Sequence, residues 1–308
     1  MTDLLGPAYV SARWGYFLSV FLLIGASSFA PFFLRPASPF AREYPAAAGR
    51  LWRRAGLIGV FGAIGVLAFG ALRLWLQSRT LLDPEEPLTG EFLKAVLATD
   101  WGTGWQRQMA AALAALPGFV LAARGGPLGW GIALAGSAGS IAAAGFTGHA
   151  ATAESGPGGW LIDAIHVGAG GIWLGGLFVL LAAGLPSCSV IDQPARGRAR
   201  FLLVRHFSRR ALVAAPLTVL FGFWLGIRYL GWTWPISFYR SGYGWALAVK
   251  VILVVFVALL GAWNWRVIQP RLEKTGEESG LRRAGMAELL LGLLVLGATA
   301  VLVALPFE

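Results

Sequence analysis

Apolar runs of about twenty residues, separated by short polar or basic stretches, recur along the whole chain. A helix rising 1.5 Å per residue needs about that many apolar residues to cross a bilayer. Eight such segments are predicted: Trp14–Leu34, Ala55–Gln77, Trp105–Ala123, Leu128–Thr147, Trp160–Leu185, Ala211–Leu230, Tyr243–Trp265 and Ala284–Leu305. The third is the weakest, because Arg107 and Pro117 interrupt it. The first has small residues at Ala26-Ser27-Ser28, as a cleavable leader would. Its apolar run continues through Pro31-Phe32-Phe33-Leu34 and its start is barely basic, so it is taken as the first membrane helix. The expected fold class is an all-α polytopic membrane protein with eight transmembrane helices.

The polar stretches alternate in charge. Those after segments one, three, five and seven hold Arg35, Arg42, Arg50, Arg53, Arg54, then Arg124, then Arg196, Arg198, Arg200, Arg205, Arg209, Arg210, then Arg266, Arg271, Lys274, Arg282 and Arg283. The opposite side offers only Arg13, Arg79, Lys94 and Arg240. Basic residues collect in cytoplasmic loops, so both termini and the Gly148–Gly159 loop are expected to face the periplasm. The Gln77–Gly104 loop is expected there too. It carries Asp83, Glu85, Glu86, Glu91 and Asp100, as a solvated surface, a lid or a cation-attracting face would.

Composition narrows the function classes. The 308 residues are 57% hydrophobic and 13% charged, where soluble domains carry about 25% charged residues. The net charge of +10 therefore reads as membrane topology, with lipid as the surrounding partner and no nucleic acid. One cysteine, Cys188, excludes an intramolecular disulfide or a CxxC motif. No Walker or phosphorylation motif is present to drive an ATP-powered pump, and an enzyme is the less favoured class.

Weak internal similarities fall in the same order in the two halves. Gly102-Thr-Gly-Trp105 matches Gly242-Tyr-Gly-Trp245, and Arg54 to Arg73 matches the spacing of Arg209 to Arg228. Gly25-Ala-Ser-Ser-Phe29 loosely matches Gly168-Ala-Gly-Gly-Ile172. These suggest a parallel four-plus-four repeat, with residues 1–147 and 148–308 as the two halves. Leu23 and Val20 then stand opposite His166 and Asp163, so only the second half carries the polar pair.

Candidate chemistry concentrates in the second half. His149 and His166, two of three histidines, lie within 18 residues, with Glu154 and Asp163 between them. Asp163 and His166 are three apart and share a helix face, which Gly170 and Trp173 continue inward. His166 sits about 9 Å along the helix from Trp160. Imidazole suits copper, zinc, iron and nickel, and a carboxylate can ligate directly or orient the ring. The competing reading is a buried Asp–His hydrogen bond that ties helices together, with His149 merely at the surface. Arg107 or Lys250 would pair with Asp163, and Glu288 is a further intramembrane charge. Met109, His206, Cys188 and the GxxxG motif Gly171–Gly175 read as packing or surface features.

The run Asp163-Ala-Ile-His166, with Ile172-Trp173-Leu-Gly-Gly-Leu177, resembles the hallmark helix of the CopD/PcoD copper-resistance membrane protein family. Gly148-His149-Ala150, Arg205-His-Phe-Ser208-Arg, Tyr243-Gly244 with Lys250, and Asn264 with Pro270 match in order. Phe221-Gly222 stands where that family often has Thr-Gly. The resemblance implies an inner-membrane protein that takes copper from the periplasm toward the cytoplasm, beside a periplasmic CopC-type partner. No CopC-like domain is expected within the chain, since both ends finish within a few residues of a span. His149 and His166 would be the first ligands, assisted by Asp163 and Glu154. The alternative is a haem b membrane protein with His166 as axial ligand, because small residues let a porphyrin approach.

Overall fold

The computed structural model describes residues 6–33, 38–83, 85–146, 158–193, 195–230, 241–275 and 279–305. His149, Glu154 and the boundary between the expected halves lie outside the described residues. The described residues form helices and no strand. In chain order these are α1 (Gly6–Phe33), α2 (Pro39–Glu43), α3 (Pro45–Thr80), α4 (Gly90–Ala98), α5 (Asp100–Ala123) and α6 (Pro127–Ala144). Then come α7 (Gly159–Val190), α8 (Ala195–Leu230), α9 (Gly242–Trp263, continued by Asn264–Ile268 and Gln269–Thr275) and α10 (Ser279–Ala304). The starts follow local chemistry. Thr99 and Ser241 cap α5 and α9 through their hydroxyls, and Pro45 and Pro127 stand in the first turns of α3 and α6.

Seven of the described helices are long and apolar enough to cross a membrane, which makes this a multi-pass membrane protein. The predicted segment Trp105–Ala123 is helical as α5, but it is not among the seven. Its early turns carry Gln106, Arg107 and Gln108, and much of the rest is alanine. Small residues seat it against both neighbours, with Gly56 of α3 against Ala123 and Gly118 of α5 against Ala133 of α6.

Contacts between helices set their directions. Gly62 meets Leu23 while Gly15 meets Phe69, so α1 and α3 are antiparallel. The same pattern holds for α3 with α5, α5 with α6, α6 with α7, α7 with α8 and α9 with α10. Helix α10 also runs against α7, with Gly285 at Leu181 and Gly292 at Leu174. The long helices therefore alternate in direction. This collects Arg50, Arg53, Arg54, Arg124, Arg196, Arg198, Arg266, Arg282 and Arg283 at one end of the bundle, and Trp160 at the other.

At the centre, α1 and α7 cross in parallel, with Gly25 packed on the Gly175 backbone and Gly170 facing Phe21. A side chain at either crossing glycine would enter the opposing main chain. The GxxxG motif thus serves α1, with Gly171 on Ile24 and Gly175 on the Phe21 carbonyl.

Two stretches expected as loops are helical. The basic residues 45–54 and 195–210 form the first turns of α3 and α8, each 36 residues long. At 1.5 Å per residue that is about 54 Å, well beyond an apolar core of about 30 Å. The acidic connection also has structure: α4 buries Val96, Gly102 packs on the Val96–Leu97 backbone, and the Gln106 amide donates to the Leu97 carbonyl at 2.8 Å.

Candidate metal site

Helix α7 places Asp163 and His166 one turn apart near the Trp160 end. At that end the Trp160 ring stacks on Phe146 at 5.5 Å with an interplanar angle of 17°. Arg107 sits over that Phe146 ring at 5.6 Å, so its charge is engaged by an aromatic face.

The His166 ring is oriented from α8. Its Nδ1 lies 2.7 Å from the Thr218 carbonyl oxygen. A carbonyl can only accept, so Nδ1 carries the proton and Nε2 keeps its lone pair. The Thr218 hydroxyl donates back to the Ala214 carbonyl at 2.9 Å, in a turn that also contains Pro216. One turn further on, Gly222 makes room for the ring: a Cβ there would lie 2.7 Å from His166 Cε1. The orienting partner of His166 is therefore Thr218 and not Asp163.

Asp163 belongs to a second set of groups at the same end. Lys250 of α9 lies within electrostatic reach of both Asp163 and His166, and Tyr16 of α1 lies within reach of Asp163. The Tyr16 ring carries Arg73 of α3, whose guanidinium carbon lies 4.3 Å from the ring centroid and which is 6% exposed. Beyond it, Arg13 donates to the Tyr9 hydroxyl, which donates to Gln77 at 3.1 Å. Of the two basic candidates for Asp163, Lys250 is thus the one in position.

The structure brings Asp163 and His166 together, while His149 and Glu154 lie outside the described residues. No three His, Cys, Asp or Glu side chains gather among the described residues. Met109 packs on Gly70, beside the bond from Trp105 to the Gly70 carbonyl. Cys188 is buried at the end of α7 and donates to the Gly184 carbonyl, so it is not a loop thiol. His206 lies on α8, sixteen residues and about 24 Å before Gly222.

A protein-family model described as copper resistance protein D matches residues 201–302. A second, described as the copper resistance protein D-like N-terminal domain, matches residues 1–160. The chain belongs to the copper resistance protein D family. Within this family assignment, a relative from Bacillus subtilis (strain 168) named copper transport protein CutJ is 34% identical over 171 residues. That alignment takes in 54% of this chain and 29% of the relative, so the chain spans under a third of the relative's length. No solved structure matches. The family membership supports a copper-handling role, and an imidazole with a free Nε2 is a ligand suited to that metal.

Thr218, Gly222, Tyr16 and Arg73 were not singled out by the sequence as site residues. Gly222 was visible only as the glycine kept beside Phe221, where the family pattern often has Thr-Gly, and Arg73 only as one end of a repeat spacing.

Proposed function

We propose that this copper resistance protein D family member carries copper inward across the bacterial inner membrane from a periplasm-facing site. His166 and Asp163 form the described half of that site, and His149 and Glu154 complete it. The observation that carries the reading is the Thr218 carbonyl fixing Nδ1–H and leaving His166 Nε2 as a ligand. His149 follows Phe146 by three residues, which extended chain covers in about 11 Å, and Phe146 stacks on the Trp160 that opens α7. Lys250 serves as the resident counter-charge of Asp163, and arriving copper takes its place. In this reading α5 is the eighth crossing, both termini face the periplasm, and a periplasmic CopC-type protein delivers the metal. The protein acts as a copper-transfer protein.

Direction is tested with oriented membrane vesicles. Copper accumulation in right-side-out vesicles should exceed that in inverted ones, and His166→Ala should remove the difference. Equal uptake in both orientations would argue against import. An absorption spectrum of the detergent-purified protein tests the ligand's role, because a Soret band would make His166 a haem b ligand instead.

A further inference from the structure

A second buried polar site lies deeper in the bundle, on the stripe of α7 that starts at Asp163. Trp173 is ten residues beyond Asp163, about 15 Å along the helix. Its indole Nε1 donates to Glu288 Oε1 of α10 at 3.2 Å. The other carboxylate oxygen, Oε2, accepts from Asn264 Nδ2 of α9 at 2.8 Å. Glu288 is 4% exposed, and Gly261, one turn before Asn264, leaves room for it: a Cβ at Gly261 would lie 3.3 Å from Oε1.

Three features separate this arrangement from a helix-tying bond. Both donors stand on π-helical turns, Gly171–Gly175 in α7 and Asn264–Ile268 in α9, and such turns concentrate at functional positions. The carboxyl group also borders a cavity of about 460 Å³ between α7, α8, α9 and α10. Its groups from α7 are Trp173 and leucines, from α8 Ser208 and apolar side chains, and from α9 Asn264 and Arg266. Among the described residues Arg266 is the one other charged group lining it, with its guanidinium 5.7 Å from the Trp265 ring. Finally, Asn264 Oδ1 is buried and has no hydrogen-bond partner among the described residues.

That orphaned oxygen supplies the chemistry. The observed bond from the Asn264 amide N–H to Oε2 suits an ionised Glu288, which can only accept. A neutral Glu288 has an O–H to donate, and a half-turn of the Asn264 amide presents Oδ1 to receive it. One side chain therefore offers Glu288 a hydrogen-bond partner in both protonation states. We propose that Glu288 is an exchangeable proton site, with Asn264 as its two-state partner and Trp173 as a donor that favours the ionised state. In the copper-transfer reading, on which this use of the site rests, it is the proton station that balances cation movement along the same stripe of α7.

A lipid-soluble carbodiimide tests the site on the detergent-purified full chain, because it adds to protonated carboxyl groups held out of water. Peptide mass spectrometry should find an adduct on Glu288 that declines as pH rises and is absent in Glu288→Gln. Trp173→Phe removes a group that can only donate, so the midpoint of that decline should move to higher pH. His166→Ala and Asp163→Asn should label as the parent does, so a failed copper site and a failed proton site give different results. No adduct on Glu288 at any pH, or a midpoint unmoved by Trp173→Phe, would overturn the proposal.

Discussion

His166 is positioned by two features of α8 that are 52 and 56 residues away in the chain: a carbonyl that fixes its tautomer and a glycine that gives its ring room. A valine at Gly222 should displace the ring while leaving the helices folded. Gly222→Val is expected to weaken copper binding at least about tenfold, which is about 1.4 kcal/mol, with an unchanged far-ultraviolet circular dichroism spectrum; undiminished affinity would mean that the ring position is unimportant. Lys250 acts in the opposite sense, since a cation near Asp163 and His166 opposes an arriving one. Lys250→Met is therefore expected to tighten copper binding about tenfold by titration, again about 1.4 kcal/mol. The pairing of Asp163 with His166 was legible because helical periodicity puts them on one face. Thr218 and Gly222 were not, because a backbone carbonyl and an absent side chain leave no local pattern and matter only once α8 is folded against α7.

At the scale of elements, the parallel contact of α1 with α7 depends on backbone approach at Gly25 and Gly175. Overpacking such a contact costs about 1–3 kcal/mol. Gly175→Val should lower the thermal unfolding midpoint in detergent, and a midpoint equal to the parent's would show that the helices can part without loss. The opposite end is tied more weakly. Arg198 of α8 donates to Glu43 of α2 at 3.0 Å, and Tyr44 donates to the same carboxylate at 2.7 Å. The Tyr44 hydroxyl first, and Arg198 after it, hold the Glu43 carboxyl below its ordinary value. Its contribution is therefore present above about pH 4.3 and is lost as pH falls through the lowered value. Because the pair is exposed, Glu43→Gln should cost less than about 1 kcal/mol at neutral pH in a thermal melt. The helix ends illustrate what apolar runs report. They mark the part of a helix that suits lipid, so the basic turns of α3 and α8 read as loops until tertiary contacts extended them.

At the scale of the molecule, the two family models together place both halves of the chain in the copper resistance protein D family. Alternating helix directions put the basic ends of α3, α5, α7, α8, α9 and α10 together, which agrees with the charge pattern along the sequence. The segment that fell short was α5, whose polar early turns and small residues suit packing between α3 and α6 more than contact with lipid. The four-plus-four relation is our proposal for the bundle. In it α1 and α7 are equivalent, and they are the two helices that cross in parallel. The openings that the proposal pairs differ in setting, since Trp105 bonds the Gly70 carbonyl whereas Trp245 is 66% exposed. We propose that His166 holds the copper this protein handles. Titration of the purified protein with copper, followed by metal analysis, tests it most directly. The parent should retain about one copper ion per chain and His166→Ala should retain essentially none, whereas equal retention by the two proteins would contradict the account.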